Sequence, residues 1–251
     1  MSGGLRSVLV DLHVHTVVSP CAEVEMIPPL IVRRALELGL SIIAVTDHNT
    51  ADNVAAVQRA AEGTNLAVLA GMEVQTREDA HILCLFDTAE QALAWQGVVY
   101  AHLPDMPNNE EVFGAQFVVD EMGEFMHKNE RLLLTATSLS PEQVVSGVRS
   151  LGGIAIAAHI DRQAFSLLMS LGFLPPGLQL SAVEISRHTT PEAVLARYPS
   201  LRGMPIIASG DAHRLAEMCA HTLVTLRSPS VRELELALRG EGGRAVEYMP
   251  R

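Results

Sequence analysis

Residues 7–16, SVLVDLHVHT, form the first apolar run of the chain and carry an aspartate and two histidines at alternating positions. The run reads as a buried strand. Alternate side chains of a strand point the same way, so Asp11, His13 and His15 are expected to face one common point.

The same pattern recurs along the chain. Apolar runs rich in β-branched residues lie at 41–48, 67–75, 80–86, 153–160, 182–186 and 205–213. Between them stand helical patterns such as IPPLIVRRALELGL (27–40), ADNVAAVQRAAEG (51–63) and SPEQVVSGVRSLGG (140–153). Strands alternating with helices predict a parallel α/β architecture. Ser140 before Pro141 reads as an N-cap, and Gly39 as a helix stop. Residues 87–139 break the rhythm. Within them QFVVDEMGEFM (116–126) reads as a hairpin turning at Gly123, so this stretch is expected to be an insertion on one domain spanning 1–251, with a role in specificity.

Polar residues gather at the ends of these runs: His13 and His15, Asp47 and His48, Glu73, His159, Asp211 and His213. Barrel strands converge at their C-terminal ends, where such folds carry their chemistry, so a seven-stranded barrel is preferred over an open sheet. His81 is the exception, since it starts its run. Either that strand runs the other way or His81 enters from a loop.

Composition sets limits. Hydrophobic residues make up 48% of the 251 and aromatics 4%, so the core is aliphatic. The net charge of −11 argues against a long nucleic-acid partner, for want of a basic stripe. It leaves room for a small phosphorylated substrate if bound metal supplies positive charge. Three cysteines without framework spacing point to a reducing compartment. MSGGLRSVLV lacks the regions of a signal peptide, and no apolar run is long enough to span a bilayer. A cytoplasmic protein without a membrane partner is expected.

Any one of these pairs has an ordinary explanation. An HxH can hydrogen-bond in a core, TDH can cap a helix, and Asp211 with His213 can form an Asx turn. Jointly they place many ionisable groups near one point, which is costly to bury unless a cation compensates. His13, His15, Glu73 and Asp211 suit one zinc, manganese or iron ion. Adding His48, His81, His159 and His213 exceeds what one ion can hold, and Glu73 has two oxygens with which to bridge. Asp11 is expected to orient an imidazole.

Five motifs in order, DLHVHT, TDHNT with His48, GMEV with Glu73, AAHIDR with His159 and SGDAH with Asp211 and His213, resemble the PHP (polymerase and histidinol phosphatase) superfamily over residues 11–213. The resemblance implies a distorted seven-stranded, TIM-like β/α barrel and a centre of two or three divalent metal ions (zinc, manganese or iron) that hydrolyses phosphoesters. It implies one ion on His13, His15, Glu73 and Asp211, and a second on Glu73, His81 and His159. A third would sit on His48, His213 and Cys21, with Glu23 as a substitute for the thiol.

The implied mechanism is in-line attack on phosphorus by a metal-bound hydroxide. Asp47 and His213 are candidate acids, and Asp47 can alternatively orient a ligand. Arg162, Arg187 and the adjacent His188 are placed to grip the substrate. The expected function is a phosphoesterase acting on a phosphomonoester or phosphodiester of a small metabolite or nucleotide. Histidinol-phosphate phosphatase is the alternative within the family. An amidohydrolase-like enzyme is a second class, disfavoured because the one lysine, Lys128, lies in the insertion and cannot bridge metals. A non-catalytic metal-binding module is a third.

Overall fold

A computed structural model describes residues 4–250. In chain order it contains β1 (Arg6–Val14), α1 (Pro28–Glu37), β2 (Leu40–Val45), α2 (Val54–Ala60), β3 (Ala67–Gln75), β4 (His81–Phe86) and α3 (Ala89–His102). There follow α4 (Glu110–Phe113), β5 (Phe117–Val119), β6 (Phe125–Lys128), α5 (Pro141–Ser150), β7 (Ile154–Ala157), α6 (Leu167–Leu171) and β8 (Ala182–Ser186). The chain ends with α7 (Pro191–Arg197), β9 (Ile206–Ser209), β10 (Thr222–Leu226), α8 (Val231–Leu238) and β11 (Ala245–Tyr248).

One sheet runs β11-β10-β1-β2-β3-β4-β7-β8-β9. It counts nine strands instead of seven, because β10 and β11 add on antiparallel to the first half of β1. The other end of β1 meets the residues after β9. Val14 forms a parallel bridge with Ala212, whose N–H donates to His13 O and whose carbonyl accepts from His15 N, both at 3.0 Å. The sheet therefore curls into a nearly closed barrel, drawn together where the polar residues stand.

β4 is antiparallel to both β3 and β7. Only five residues, 76–80, join β3 to β4, too few for the crossover that a parallel pair needs. The reversal puts the start of β4, and so His81, at the same barrel end as the C-termini of the other strands. This settles the direction left open for that run.

Helices cover the outside. Ile31, Val32, Val54 and Val57 from α1 and α2 pack on Ile43 and Val45 of β2 in one buried cluster. Ser140 accepts from Gln143 N while the Gln143 side chain accepts from Ser140 N, capping α5. The stretch 87–139 opens with a helix. Residues 89–102 are α3, whose Ala92, Trp95 and Val99 are buried as part of the barrel's outer layer. Leu93 and Val98 of the same helix are exposed, so no one-sided apolar stripe announces it. The hairpin β5–β6 forms with Gly123 at φ +82. It is pinned to the barrel by Asn53, whose amide donates to Phe117 O and accepts from Val119 N. Among the described residues no helix is long and apolar enough to cross a membrane.

Candidate metal centre

His13, His15, His48, Glu73, His81, His159, Asp211 and His213 converge at the drawn-together barrel end, nearly all buried. Glu73, on β3, is the hub. Its Oε1 lies 3.3 Å from His13 Nε2, 2.8 Å from His81 Nδ1 and 3.0 Å from His159 Nε2. Its Oε2 lies 2.9 Å from His48 Nδ1 and 3.6 Å from His15 Nε2. Asp211 Oδ1 stands 3.2 Å from Nε2 of both His13 and His15.

These nitrogens and oxygens crowd one another, yet Glu73 Oε2 and His81 Nδ1 make no hydrogen bond. Buried polar atoms left without a partner are costly unless a cation takes their lone pairs. Three groups have donor atoms mutually within 4.8 Å: His13, His15 and Glu73; His48, Glu73 and His81; and His15, His48 and His213. The residues present therefore fit a cluster of divalent ions.

Neighbouring side chains fix which ring nitrogens face inward. Glu184 Oε1 takes the His13 Nδ1–H at 2.9 Å, and Ser19 Oγ takes that of His15 at 3.1 Å. With Nδ1–H held in this way, each ring in its neutral form turns Nε2 toward the centre. Burial disfavours the charged form of His13, but the carboxylates of Glu184, Asp211 and Glu73 outweigh it and raise its pKa well above that of an ordinary imidazole. His15 is pushed well below, by burial and by the imidazoles of His213 and His48. Glu73 and Asp211 fall well below the usual carboxylate range, the surrounding histidines overcoming burial.

Cys21 is exposed at the mouth of the cavity, and its thiol interacts with His48 and His213. Burial of the sulfur raises its pKa, but the two imidazoles bring it down to about 6. The cavity, of about 340 Å³, is lined by these side chains with Arg162 and Phe165. Arg162 Nη1 lies 2.5 Å from Asp211 Oδ2. Glu23, the substitute for Cys21, is not part of the lining and reaches outward to Arg214 at 3.1 Å.

Four expectations change. Asp11 orients no imidazole. Its carboxylate accepts from Gly210 N at 2.9 Å and Cys219 N at 2.8 Å, so it holds the loop that carries Asp211. The β1–β2 register shifts between Asp11 and Val14, which separates Asp11 from the two histidines. Asp47 is fully buried with its oxygens taken by Thr16 N, Thr16 Oγ1 and Ser19 Oγ at 2.6–2.8 Å. Of its two expected roles the contacts favour the orienting one, since it steadies His15 through Ser19. Arg187 turns away from the cavity, bonding Gly210 O at 2.6 Å and Glu217 at 3.0 Å. His188 is exposed and does not line the cavity.

Glu184 was missed. A carboxylate inside the apolar run AVEIS carries the same signal as Glu73 in AVLAGMEVQ, a charge that a buried strand tolerates only beside a partner. Lys128 sits on the hairpin, paired with Glu110 at 2.7 Å and away from the cavity.

A family model described as the PHP domain matches residues 11–163. No curated protein matches the chain. The structure is similar to the lesion-specific endonuclease Q of Pyrococcus furiosus, with a TM-score of 0.72 at 16% identity over 96% of this chain and 58% of that one. An endonuclease Q complex with a 27-mer duplex carrying an abasic lesion at the active site matches at 0.71, again at 16% identity over 96% and 58%. This chain thus spans under two thirds of those proteins. A metal-dependent phosphoesterase structure from Bifidobacterium adolescentis matches at 0.55, with 19% identity over 82% of this chain and 87% of that one. The expectation against long nucleic acid falls here, since a chain of this fold is solved with a DNA duplex at its active site. Net charge does not report the local field of a site that gathers cations.

Proposed function

The chain belongs to the PHP domain family, and on that footing we propose that it is a metal-dependent phosphoesterase. The observation that carries this reading is Glu73, a buried carboxylate ringed by five imidazoles with one oxygen in no hydrogen bond. His13, His15, Glu73 and Asp211 would hold one ion, Glu73, His81 and His159 a second, and His48, His213 and Cys21 a third. When bound, divalent ions neutralise phosphate charge and acidify water.

The chain's own groups do the rest. Glu184 and Ser19 keep the His13 and His15 rings turned inward. Arg162 neutralises Asp211 and, at the cavity wall, offers its remaining N–H groups to a phosphate oxygen. His213 directs Nδ1 at Asp211 O, 3.1 Å away, which leaves Nε2 to hold a proton for a leaving oxygen or to ligate beside His48.

His13, His48 and His213 are all raised by neighbouring negative groups. In metal-free protein these surroundings favour the protonated imidazoles, which must shed those protons to ligate. Zinc binding is expected to release protons and to strengthen from pH 6 to pH 8. Titration calorimetry in buffers of different ionisation heat checks this, and heats independent of buffer would contradict it.

A small phosphomonoester is the first substrate class. A phosphodiester in nucleic acid is the second, favoured by the likeness to endonuclease Q. A panel of p-nitrophenyl phosphate, bis(p-nitrophenyl) phosphate and an abasic-site duplex, with zinc and manganese separately, distinguishes them. Turnover should vanish on chelation and return with metal. Failure on every ester with either metal contradicts the reading.

A further inference from the structure

Phe165 lines the cavity but has no atom that could ligate a metal. Its backbone sits in the left-handed region, φ +58, which a bulky side chain rarely adopts. The segment is fastened on all sides. Phe165 O accepts from His81 N at 2.9 Å, Ser166 Oγ donates to Ile160 O at 2.8 Å, and Asp161 accepts from Ser186 N and Oγ at 2.7 and 2.6 Å. A backbone held in a disfavoured conformation by its surroundings points to a demand other than folding.

The conformation lays the ring parallel to the His81 imidazole, centroids 4.7 Å apart and planes 16° apart. The side chain nonetheless stays 44% exposed, unusual for an apolar ring so firmly placed. Arg162, three residues earlier on the same loop, and Leu134 line the same cavity. The loop therefore sets a cation and a half-open aromatic face side by side beside the carboxylate and imidazole cluster.

We propose that Phe165 is a stacking platform that selects phosphoesters carrying a flat ring near the ester, a nucleobase being the fitting chemistry. Arg162 and the metal cluster take the phosphate end, so the proposal rests on the phosphoesterase reading. One face of the ring is backed by His81, and the other takes the ligand. Stacking on an aromatic side chain corresponds to roughly a 5- to 150-fold gain in affinity per base.

The test uses the metal-loaded protein and two ligands that cannot be hydrolysed: the phosphonate analogue of adenosine 5′-monophosphate, and the same phosphonate sugar without its base. Wild type is expected to bind the base-bearing compound about 5- to 150-fold more tightly. Phe165→Asn, which tolerates the left-handed backbone, should bring the ratio of the two affinities close to one, and Phe165→Tyr should restore it. Equal binding of the two compounds by wild type overturns the proposal alone. So does a Phe165→Asn variant that loses affinity for both in proportion, which would make the ring a mere support for His81. Binding of neither compound also overturns the proposal, while the phosphoesterase reading is decided separately by the ester panel.

Discussion

Glu73→Gln is expected to strip the centre of metal and to lower phosphoester turnover by more than about 100-fold, beyond the 10- to 100-fold typical when a partner of a ligand is lost. The variant keeps the size of the side chain but exchanges one acceptor oxygen for an NH₂ group. Five imidazoles lie within 3.6 Å of the present carboxylate, so two groups of donors share it. No other residue of the cluster touches as many donors. Glu184→Gln, which loosens only the orientation of His13 and a bond from His159 N, should fall inside the 10- to 100-fold range. Metal content and turnover measured together check the order. Wild-type metal content in Glu73→Gln would remove it as the bridge.

Asp11→Ala is expected to be the most damaging substitution for stability. Asp11 is fully buried and ties Gly210 N and Cys219 N to β1. Removing the carboxylate leaves two buried donors without an acceptor, roughly 1–3 kcal/mol each. For a domain of this size that amounts to a fall in thermal midpoint of about 5–20 °C. The same loop carries Asp211 at φ +45, so metal affinity should fall as well. Thermal unfolding with and without chelator separates the two effects. A midpoint within about 2 °C of wild type in the presence of chelator would show that the loop holds without Asp11.

The motifs at strand ends were legible because chemistry concentrates unlikely residues there. His13, His15, His48, Glu73, His81, His159, Asp211 and His213 are separated by up to 200 positions, yet each sits where a strand meets the barrel mouth. The reversal of β4 was also readable in principle, from the four residues between its run (80–86) and the one before (67–75). Side-chain direction was not. The alternation that grouped Asp11 with His13 and His15 assumes a regular strand, and the register shift in β1 defeats it. Arg187 stood as close to a strand end as the true lining residues, and only the fold shows it turned onto Gly210 and Glu217. α3 escaped because its apolar residues encircle the helix, and β10 and β11 because they lie beyond the motifs. Net charge misled most: it averages the surface, whereas a partner meets the mouth.

The chemistry of this site depends on the metal cluster. Elemental analysis of the reconstituted protein measures this directly as ions per chain. Two or three zinc, manganese or iron ions per chain are predicted, removed by chelation and regained on reconstitution. A protein that retains fewer than one ion per chain after reconstitution with each of these metals would contradict it.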